Sequence, residues 1–444
     1  MKSTFFPSVV FFIVLAGSGQ TVWALAKKPP VVVQVPQAEV SILEVQIPAL
    51  GLTDLIQEAL AHNPELHAYE ERWKASKARV WEAISWDDTM VGADFEGIPG
   101  GRVDADRAKN IEWMVSQRIP FPGKKFLKGR VASKEAKMAE ADYRAKEREI
   151  ISEVKKAYSE YFLRERETWN HEETQQILER MSKSAEAKYA TRKISYQEVL
   201  KAHTELALIL NDIAKHHQQR ETALARLNML LGREAWEPLH IGMSAPEANL
   251  PYTRDELMKL ALEHRPELRA VRYGFEAART DAKSAWLDLL PDGQFRIEAR
   301  HFSGGSGIKE YDQFFGFEVP VVSLIGRVGQ IREKQAEKKA AESALENMKN
   351  MVLYEVQKAW AEFESNDRSV KMFESNVIPQ AESIIQSSLA QYESGQGDFL
   401  AVMEVQRALT EFRHEYFHSL AMREESFAEL EKVVGVDLGG GVSK

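Results

Sequence analysis

The side chains whose types and spacing most directly suggest chemistry lie near the C-terminal end of this sequence. The run from His414 to His418 reads HEYFH and fits the pattern H-E-x-x-H. On a helix, histidines at positions i and i+4 share one face and can bind zinc, while the glutamate acts as the general base of a metallopeptidase. That reaction also needs a third protein ligand and an open coordination position on the metal. Glu425 and Glu431 follow on the same predicted helix, where they cannot fold back around such a metal. We therefore predict no peptidase site, and at most an incidental metal contact.

Other short patterns also fail to predict a catalytic or cofactor site. His216 and His217 form a second histidine pair and are interpreted in the same way. The glycines between Gly304 and Gly307 lie between two predicted strands, whereas a phosphate-binding loop joins a strand to a helix. Gly123-Lys124 lacks the preceding glycine of a P-loop. The chain has no cysteine, which excludes a disulfide framework, a Cys-ligated zinc site and a thiol nucleophile. We predict that the protein is not an enzyme and has no cofactor.

The composition limits the classes of partner. The 444 residues include 58 Lys and Arg against 67 Asp and Glu, which gives a formal net charge of −9. Charges of both signs are mixed along the chain, whereas a nucleic-acid-binding protein presents a basic stripe. We therefore predict no nucleic-acid partner.

The first residues have the pattern of an export signal. Lys2 is followed by a mostly apolar run from Phe5 to Ala16, and Ala24-Leu25-Ala26 has the small-x-small pattern of a signal peptidase site. We predict a signal peptide over 1–26, with a retained membrane anchor as the alternative. Residues 27–51 are rich in Val and Pro and predict an extended tether. No later segment has the ~20 consecutive apolar residues of a transmembrane helix, so any membrane crossing by the mature chain would use strands.

One stretch of the sequence occurs twice. Leu55–Ala68 reads LIQEALAHNPELHA, and Leu257–Ala270 reads LMKLALEHRPELRA. The same offset relates Val154–Tyr161 to Val356–Phe363. Self-similarity at a fixed offset predicts a duplicated structural unit. The two copies and a flexible tail are predicted at 52–240, 252–437 and 438–444.

Each copy predicts a helix, two strands, a long helix, a turn and a final helix. Pro64 and Pro266 interrupt the first helix pattern of each copy, and Asn63 can cap the restart. One helix runs from Lys124 to about Ala190, which at ~1.5 Å per residue is roughly 90–100 Å. A helix of this length needs helical neighbours, as in a coiled coil. The other helices are predicted from Thr53 to about Trp86, from a reset near Arg192–Ser195 to Gly232, from about Thr253 to Leu290, from about Leu324 to Tyr392 with a kink at Pro379, and from about Asp398 to Val434.

Four segments alternate with a period of two, which predicts strands with unlike faces. They lie at about 88–97, 110–120, 293–302 and 312–320. The charged face carries Glu112, Arg118, Arg296, Glu298 and Arg300, and the apolar face carries Trp113, Ile297, Phe315 and Phe317. Open strand edges are not tolerated in lipid, so membrane strands must close a barrel. Four strands are too few, so several chains must contribute. We predict that the charged set lines the lumen and that the apolar set faces lipid rather than forming an ordinary core.

Five stretches carry a resemblance to a known family. They are Leu55–Leu66, Leu257–Leu268, Ile119–Lys124 (IPFPGK), Val319–Arg327 (VPVVSLIGR) and the turn Tyr392-x-x-Gly395. In these stretches, and in the order of its elements, the sequence resembles the TolC family, the outer-membrane factors of Gram-negative efflux and type I secretion systems. The resemblance covers nearly all of the mature chain.

The resemblance implies a mainly helical chain with membrane strands. Three copies would form a homotrimer whose strands close one barrel in the Gram-negative outer membrane, with long coiled-coil helices forming a tunnel through the periplasm. The implied partners are a periplasmic adaptor (membrane fusion protein), an inner-membrane pump and outer-membrane lipid. The implied function is a passive export duct of an RND-type or other tripartite efflux pump, or of a type I secretion system, for small molecules or metal ions. The helix hairpins would gate it. Neither the substrate nor the partner pump is specified by the sequence.

The resemblance also assigns the tips of the helix hairpins, which dock the adaptor in this family. The first tip contains Arg192, Ser195 and Glu198, and the second contains Gly395 and Asp398. The family commonly has glycine where Arg192 stands, so the two tips differ. An adaptor should therefore meet two kinds of site in alternation.

Acidic side chains narrow the closed periplasmic end in this family. Glu404 matches one such position, but Ala401 stands at another, so at most one acidic ring is expected. An ordinary solvated helix charge is the alternative interpretation of Glu404. In a trimer, three copies of Glu404 at the axis would repel one another and favour cations.

A soluble periplasmic coiled-coil adaptor or scaffold is the rival interpretation from another class of protein. An adaptor usually has one helical hairpin inserted in a chain rich in strands. This sequence predicts two hairpins and only four isolated strands, which favours the duct.

Overall fold

The computed structural model describes residues 50–98, 108–242, 248–302, 307–308, 310–319 and 323–439. The predicted signal peptide and nearly all of the predicted tether lie outside these residues, as does most of the predicted tail. At the end of the tether, the N–H of Leu50 donates to the carbonyl of His240, and the N–H of Gly242 donates to the carbonyl of Leu50, each over 2.9 Å. These bonds form a parallel bridge between Leu50 and Ile241.

Helices dominate the described residues, and their order is that predicted from the sequence. They are α1 (Leu52–His62), α2 (Pro64–Ile84), α3 (Lys124–Ala190), α4 (Tyr196–Leu231), α5 (Arg254–His264), α6 (Pro266–Leu287), α7 (Leu324–Met372), α8 (Ile378–Glu393) and α9 (Phe399–Val434). We call α3 with α4 the first hairpin, and α7 and α8 with α9 the second hairpin. None of the helices among the described residues is both long and apolar enough to span a membrane.

The two copies bury the same positions of the repeated stretch. Leu55, Ala59 and Leu66 lie in one hydrophobic cluster with residues of α3 and α4. Their counterparts Leu257, Ala261 and Leu268 lie in a second cluster with residues of α7 and α9. The repeated residues therefore anchor α1 and α5 to the helices of the two hairpins, and the predicted duplication of the helical unit is confirmed.

The prolines in the repeated stretch start new helices, as predicted. Pro64 is the first residue of α2, and the side chain of Asn63 accepts hydrogen bonds from the N–H groups of Glu65 (2.9 Å) and Leu66 (3.1 Å). Its amide nitrogen donates to the carbonyl of Leu230 in α4 over 2.9 Å. In the second copy Arg265 occupies the equivalent place without a side-chain cap.

The second long helix is interrupted differently from the kink predicted at Pro379. A π-helical turn over Phe373–Val377 separates α7 from α8. There the N–H of Ile378 donates to the carbonyl of Phe373, five residues earlier. Pro379 has no N–H with which to continue the α-helical pattern, and the wider π turn accommodates the missing bond.

The strands form one antiparallel sheet in the order β1 (Met90–Glu96), β2 (Asn110–Ile119), β3 (Asp292–Phe302) and β4 (Glu310–Glu318). The pairing of β2 with β3 joins the two copies. Trp113 pairs with Ala299, Glu112 pairs with Arg300, and Ile297 pairs with Gln313. Because directly paired residues in an antiparallel sheet project to the same side, this register fixes which residues share a face.

Candidate functional site

The register brings all the charged strand residues of the predicted lumen set onto one face of the sheet. Arg300 lies 3.1 Å from Glu112 on β2 and 3.2 Å from Asp312 on β4, and so bridges three strands. Arg296 lies 2.8 Å from Glu298. Paired charges of both signs therefore lie along this face of the sheet, which leaves a polar surface that water can wet.

A second group of charges lies where this face meets the helices. Asp292, the first residue of β3, accepts hydrogen bonds from Arg118 (3.0 Å), Lys124 (2.7 Å) and the N–H of Phe121 (2.9 Å). Lys124 also donates to the carbonyl of Leu290 over 2.8 Å. These bonds tie the start of α3 to the start of β3, and so fix the sheet on the helices. The sequence shows Lys124 in the IPFPGK junction but does not predict its contact with Asp292, to which it gives no role.

The opposite face of the sheet is apolar and open. Trp113, Phe315 and Phe317 are 53%, 63% and 65% exposed, and Ile297 lies on the same face. The rings of Phe315 and Phe317 meet edge to face with centroids 5.3 Å apart. An apolar surface of this kind on one side of a sheet needs a covering, by lipid or by protein.

Phe314, an aromatic residue for which the sequence predicts no role, lies on the polar face of the sheet. Phe314 pairs with Arg296 in the register, and the Arg296 guanidinium lies 5.0 Å from the centre of the Phe314 ring. A Cβ at Gly316 would come within 2.6 Å of this ring. The absence of a side chain at Gly316 therefore leaves room for the Phe314 ring on the charged face, and this glycine is the feature of the sequence that could have indicated it.

The two hairpin tips have the same backbone turn. Arg192 has φ 60°, and Gly395 has φ 78°. In the first tip the N–H of Lys193 donates to the carbonyl of Lys188 over 2.9 Å, and in the second the N–H of Gln396 donates to the carbonyl of Gln391 over 3.0 Å. Each bond joins an N–H to the carbonyl five residues earlier, which is the pattern of a Schellman motif at the C-terminal end of a helix. The tip turn is therefore conserved between the copies although Arg replaces Gly.

Two of the predicted adaptor-facing residues cap the helix that leaves the first tip. The N–H of Ser195 donates to Oε1 of Glu198 over 3.2 Å, and its hydroxyl lies 3.3 Å from the same oxygen. Asp398 is the N-cap residue of α9, but its side chain makes no capping hydrogen bond. Asp398 and Arg192 are exposed.

Lys188 joins the first hairpin to the second near the tips. Its ammonium lies 3.4 Å from the centre of the Tyr392 ring and donates to the carbonyl of Tyr392. Burial lowers the pKa of Lys188, and the nearby charge of Lys193 adds to this effect. The Tyr-x-x-Gly turn in the sequence points to Tyr392, but no sequence pattern predicts its contact with Lys188.

A model of the outer membrane efflux protein family matches residues 107–233 and 257–436, well over half of the chain. The chain belongs to the outer membrane efflux protein family. It is therefore an outer-membrane efflux channel that extends into the periplasm, and the soluble adaptor is excluded. The resemblance to the TolC family is confirmed. Proteins of this family are passive channels, and they are generally trimers that work with an adaptor and an inner-membrane pump.

Several solved outer-membrane channels share the fold of this family member. The channel OprN is similar at 17% identity with a TM-score of 0.75, covering 88% of this chain and 90% of OprN. VceC from Vibrio cholerae is similar at 19% identity with a TM-score of 0.74, covering 87% of this chain and 96% of VceC. The open state of MtrE from Neisseria gonorrhoeae is similar at 18% identity with a TM-score of 0.70, covering 87% of this chain and 89% of MtrE. Among the curated proteins, none matches the sequence.

The residue that the family resemblance assigns to the periplasmic aperture is exposed. Glu404 lies on α9 in an open cavity of about 660 Å³ between α4 and α9. Arg407, one turn further along α9, pairs with Glu205 of α4. Within the described ranges, Glu404 itself makes no ion pair, so its charge is available to solvent.

The H-E-x-x-H run lies in the middle of α9, as predicted. In the part of the chain that the structure describes, no group of three or more His, Cys, Asp or Glu side chains is placed to hold a metal ion. His418 and Glu415 are exposed. Nδ1 of His414 lies 3.0 Å from Oε1 of Glu167 on α3, so this histidine contacts another helix.

Proposed function

We propose that this efflux channel is a passive, non-enzymatic duct whose wall in the membrane is built by three copies of the chain. The observation that carries the proposal is the register of the sheet. It places Glu112, Arg118, Arg296, Glu298 and Arg300 on one face and Trp113, Ile297, Phe315 and Phe317 on the other. Three such sheets joined edge to edge would satisfy the open edges of β1 and β4, as a membrane requires. The charged face would then line the lumen, and the apolar face would meet outer-membrane lipid.

The periplasmic end of the duct closes, in this proposal, by packing of the two hairpins. Lys188 and Tyr392 connect the hairpins near their tips. Behind this contact, Leu178 and Met181 of α3 share a hydrophobic cluster with Val402 of α9. An adaptor that binds the tips would loosen this packing, and the energy for transport would come from an inner-membrane pump.

The adaptor sites at the two tips would share a shape but differ in chemistry. The backbone turn is the same, but the first tip exposes Arg192 and Lys193, whereas the second exposes Gly395 and Gln396. Glu198 and Ser195 also cap α4, so their replacement would alter the tip as well as any contact. The adaptor would thus meet, in alternation around the trimer, a tip that exposes Arg192 and Lys193 and a tip that exposes Asp398.

Glu404 would form the narrow acidic ring of the closed duct. Its exposed carboxylate lies on α9 close to the second tip, with no ion pair among the described residues. Three such carboxylates around an axis attract cations and repel anions. The exported solute would be a small molecule or a metal ion supplied by the pump.

Planar bilayers containing the full-length protein test this proposal. Discrete, cation-selective conductance steps are expected from a detergent-purified trimer. Glu404→Gln should lower the ratio of cation to anion permeability, while Glu263→Gln, at an exposed carboxylate on α5 outside the two hairpins, should leave it unchanged. A monomer without conductance steps would overturn the duct. An unchanged permeability ratio in Glu404→Gln would overturn the acidic ring alone.

A further inference from the structure

A buried carboxylate lies where the two hairpins meet. Glu167 of α3 is 0% exposed. One of its oxygens, Oε2, lies 2.8 Å from Nη1 of Arg164 and 3.4 Å from Nδ1 of His216 on α4. The other, Oε1, lies 3.0 Å from Nδ1 of His414 on α9. One histidine from each pattern noted in the sequence therefore contacts this carboxylate: His414 from the H-E-x-x-H run and His216 from the His216-His217 pair.

The other titratable and charged side chains near this carboxylate and its histidines lie on α3, α4 and α9. On α3, Nδ1 of His171 donates to the carbonyl of Glu167 over 2.9 Å, and its ring lies 4.4 Å from that of His216. On α9, the ring of His418 lies 6.4 Å from that of His414. The remaining titratable neighbours are acidic: Asp212 on α4, and Glu411 and Glu415 on α9. Arg413, next to His414, is engaged by Glu173 and by Glu382 of α8.

The partners of Glu167 differ in whether they connect α3 to another helix. A carboxylate removed from water needs compensating charge or hydrogen bonds. Arg164 supplies a permanent charge, but it lies on the same helix and cannot join α3 to another element. His216 lies on α4 of the same hairpin, whereas the contact from the other hairpin comes from His414, and histidine changes charge near neutral pH. The part of the charge compensation that crosses between hairpins is therefore titratable.

We propose that Glu167 and His414 form a proton-operated latch that holds α9 of the second hairpin against α3 of the first. When His414 is protonated, its imidazolium meets the buried carboxylate and the hairpins stay together. When His414 is neutral, the charge attraction is lost and the hairpins separate more readily. The consequence for export rests on the proposed gating of the duct by hairpin packing.

The signs of the pKa shifts give the pH window. Burial would raise the pKa of Glu167, but its contacts with His216, His414 and Arg164 hold it well below its usual range, so the carboxylate stays ionised. Glu167 in turn raises the pKa of His414. The latch is therefore fully formed below the ordinary histidine pKa of about 6.5 and is lost as the pH rises through the raised value. Burial lowers the pKa of His171, so a charge on His171, which would oppose packing against His216, forms only at lower pH.

Hydrogen exchange of the full-length trimer tests the latch directly. Protection of the amides around His414 in α9 is measured at pH 6.0 and 8.5, with intrinsic rates corrected and a chelator in every buffer. Protection in the unmodified protein should fall with rising pH, by up to about tenfold for each unit by which the pKa of His414 is raised. His414→Gln should show low protection at both pH values. His418→Gln, one turn away and exposed, should behave like the unmodified protein.

A permanently charged variant provides the second arm of the test. His414→Lys should keep high protection at both pH values, because its ammonium does not titrate in this range. The latch is overturned if the unmodified protein shows no change between pH 6.0 and 8.5, or if His414→Gln keeps the full change. Loss of bilayer conductance would contradict the duct and leave this exchange measurement unaffected, so the two proposals fail separately.

Discussion

Arg192 and Gly395 hold the same left-handed backbone conformation in the two hairpin tips, with φ values of 60° and 78°. Glycine adopts this conformation without steric cost, whereas a residue with a Cβ is strained by about 1–2 kcal/mol. Both tips share the bond from the residue after the turn (Lys193 or Gln396) to the carbonyl five residues earlier. The hairpin geometry therefore dictates the turn, and the first tip keeps it despite an unfavourable residue.

Arg192→Gly should therefore raise the free energy of unfolding. Relief of the strain is partly offset by the greater freedom of glycine in the unfolded chain, so the net gain should be about 0.5–1 kcal/mol. Urea unfolding followed by circular dichroism measures it. Lys193→Gly is the matched control, because Lys193 lies next in the turn and is not among the positive-φ residues. A gain from the control as large as that from Arg192→Gly would contradict the strain argument.

The opposite faces of β3 can be distinguished by labelling single cysteines, because the chain has no cysteine of its own. Cysteine at Glu298 should react with a charged, water-soluble thiol reagent through the lumen. Cysteine at Ile297 should react more slowly, by a factor on the order of ten or more, because hydrocarbon excludes a charged reagent. Mass spectrometry of outer-membrane fractions gives both rates. Equal rates would contradict the assignment of the faces.

The elements of this fold were predictable because they follow from local patterns. Pro64 and Pro266 predict the start of a new helix in each copy. A stretch without helix-breaking residues that ends near Ala190 predicts the long α3. Alternation predicted which strand residues share a face, and the register agrees. The duplication predicts one pair of strands in each copy. It does not predict that β2 of the first copy pairs with β3 of the second, which the structure shows.

The contacts between hairpins were not predictable, because no local pattern shows which helix faces meet. Nothing near Glu167 in the sequence distinguishes it from other glutamates, and His216 and His414 are distant in the chain. Lys188 likewise gives no sign of its contact with Tyr392. Phe314 follows the strand alternation, but the alternation alone does not show that Arg296 covers its ring.

Asn63 should contribute to stability through two separate functions. Its oxygen caps α2, and its amide nitrogen donates to the buried carbonyl of Leu230. Asn63→Ala removes both and should lower the free energy of unfolding by about 2–3 kcal/mol, from the lost cap and the unsatisfied carbonyl. Asn63→Ser keeps a capping oxygen and should cost about 1 kcal/mol. Equal losses in thermal or urea unfolding would show that the cap itself contributes little.

Lys188 should control how often the closed hairpins separate. Lys188→Met removes a cation–π contact of about 0.5–2 kcal/mol and a hydrogen bond between the hairpins. A loss of 1–2 kcal/mol changes an equilibrium about 5- to 30-fold, so the open fraction in single-channel recordings should rise within that range. The pKa of Lys188 is lowered mainly by burial and further by the charge of Lys193; Lys193→Met removes only that charge, and should leave the open fraction unchanged or reduce it. If both variants opened the channel equally, loss of positive charge at the tip would explain the effect, and the specific contact between Lys188 and Tyr392 would have no part in closure.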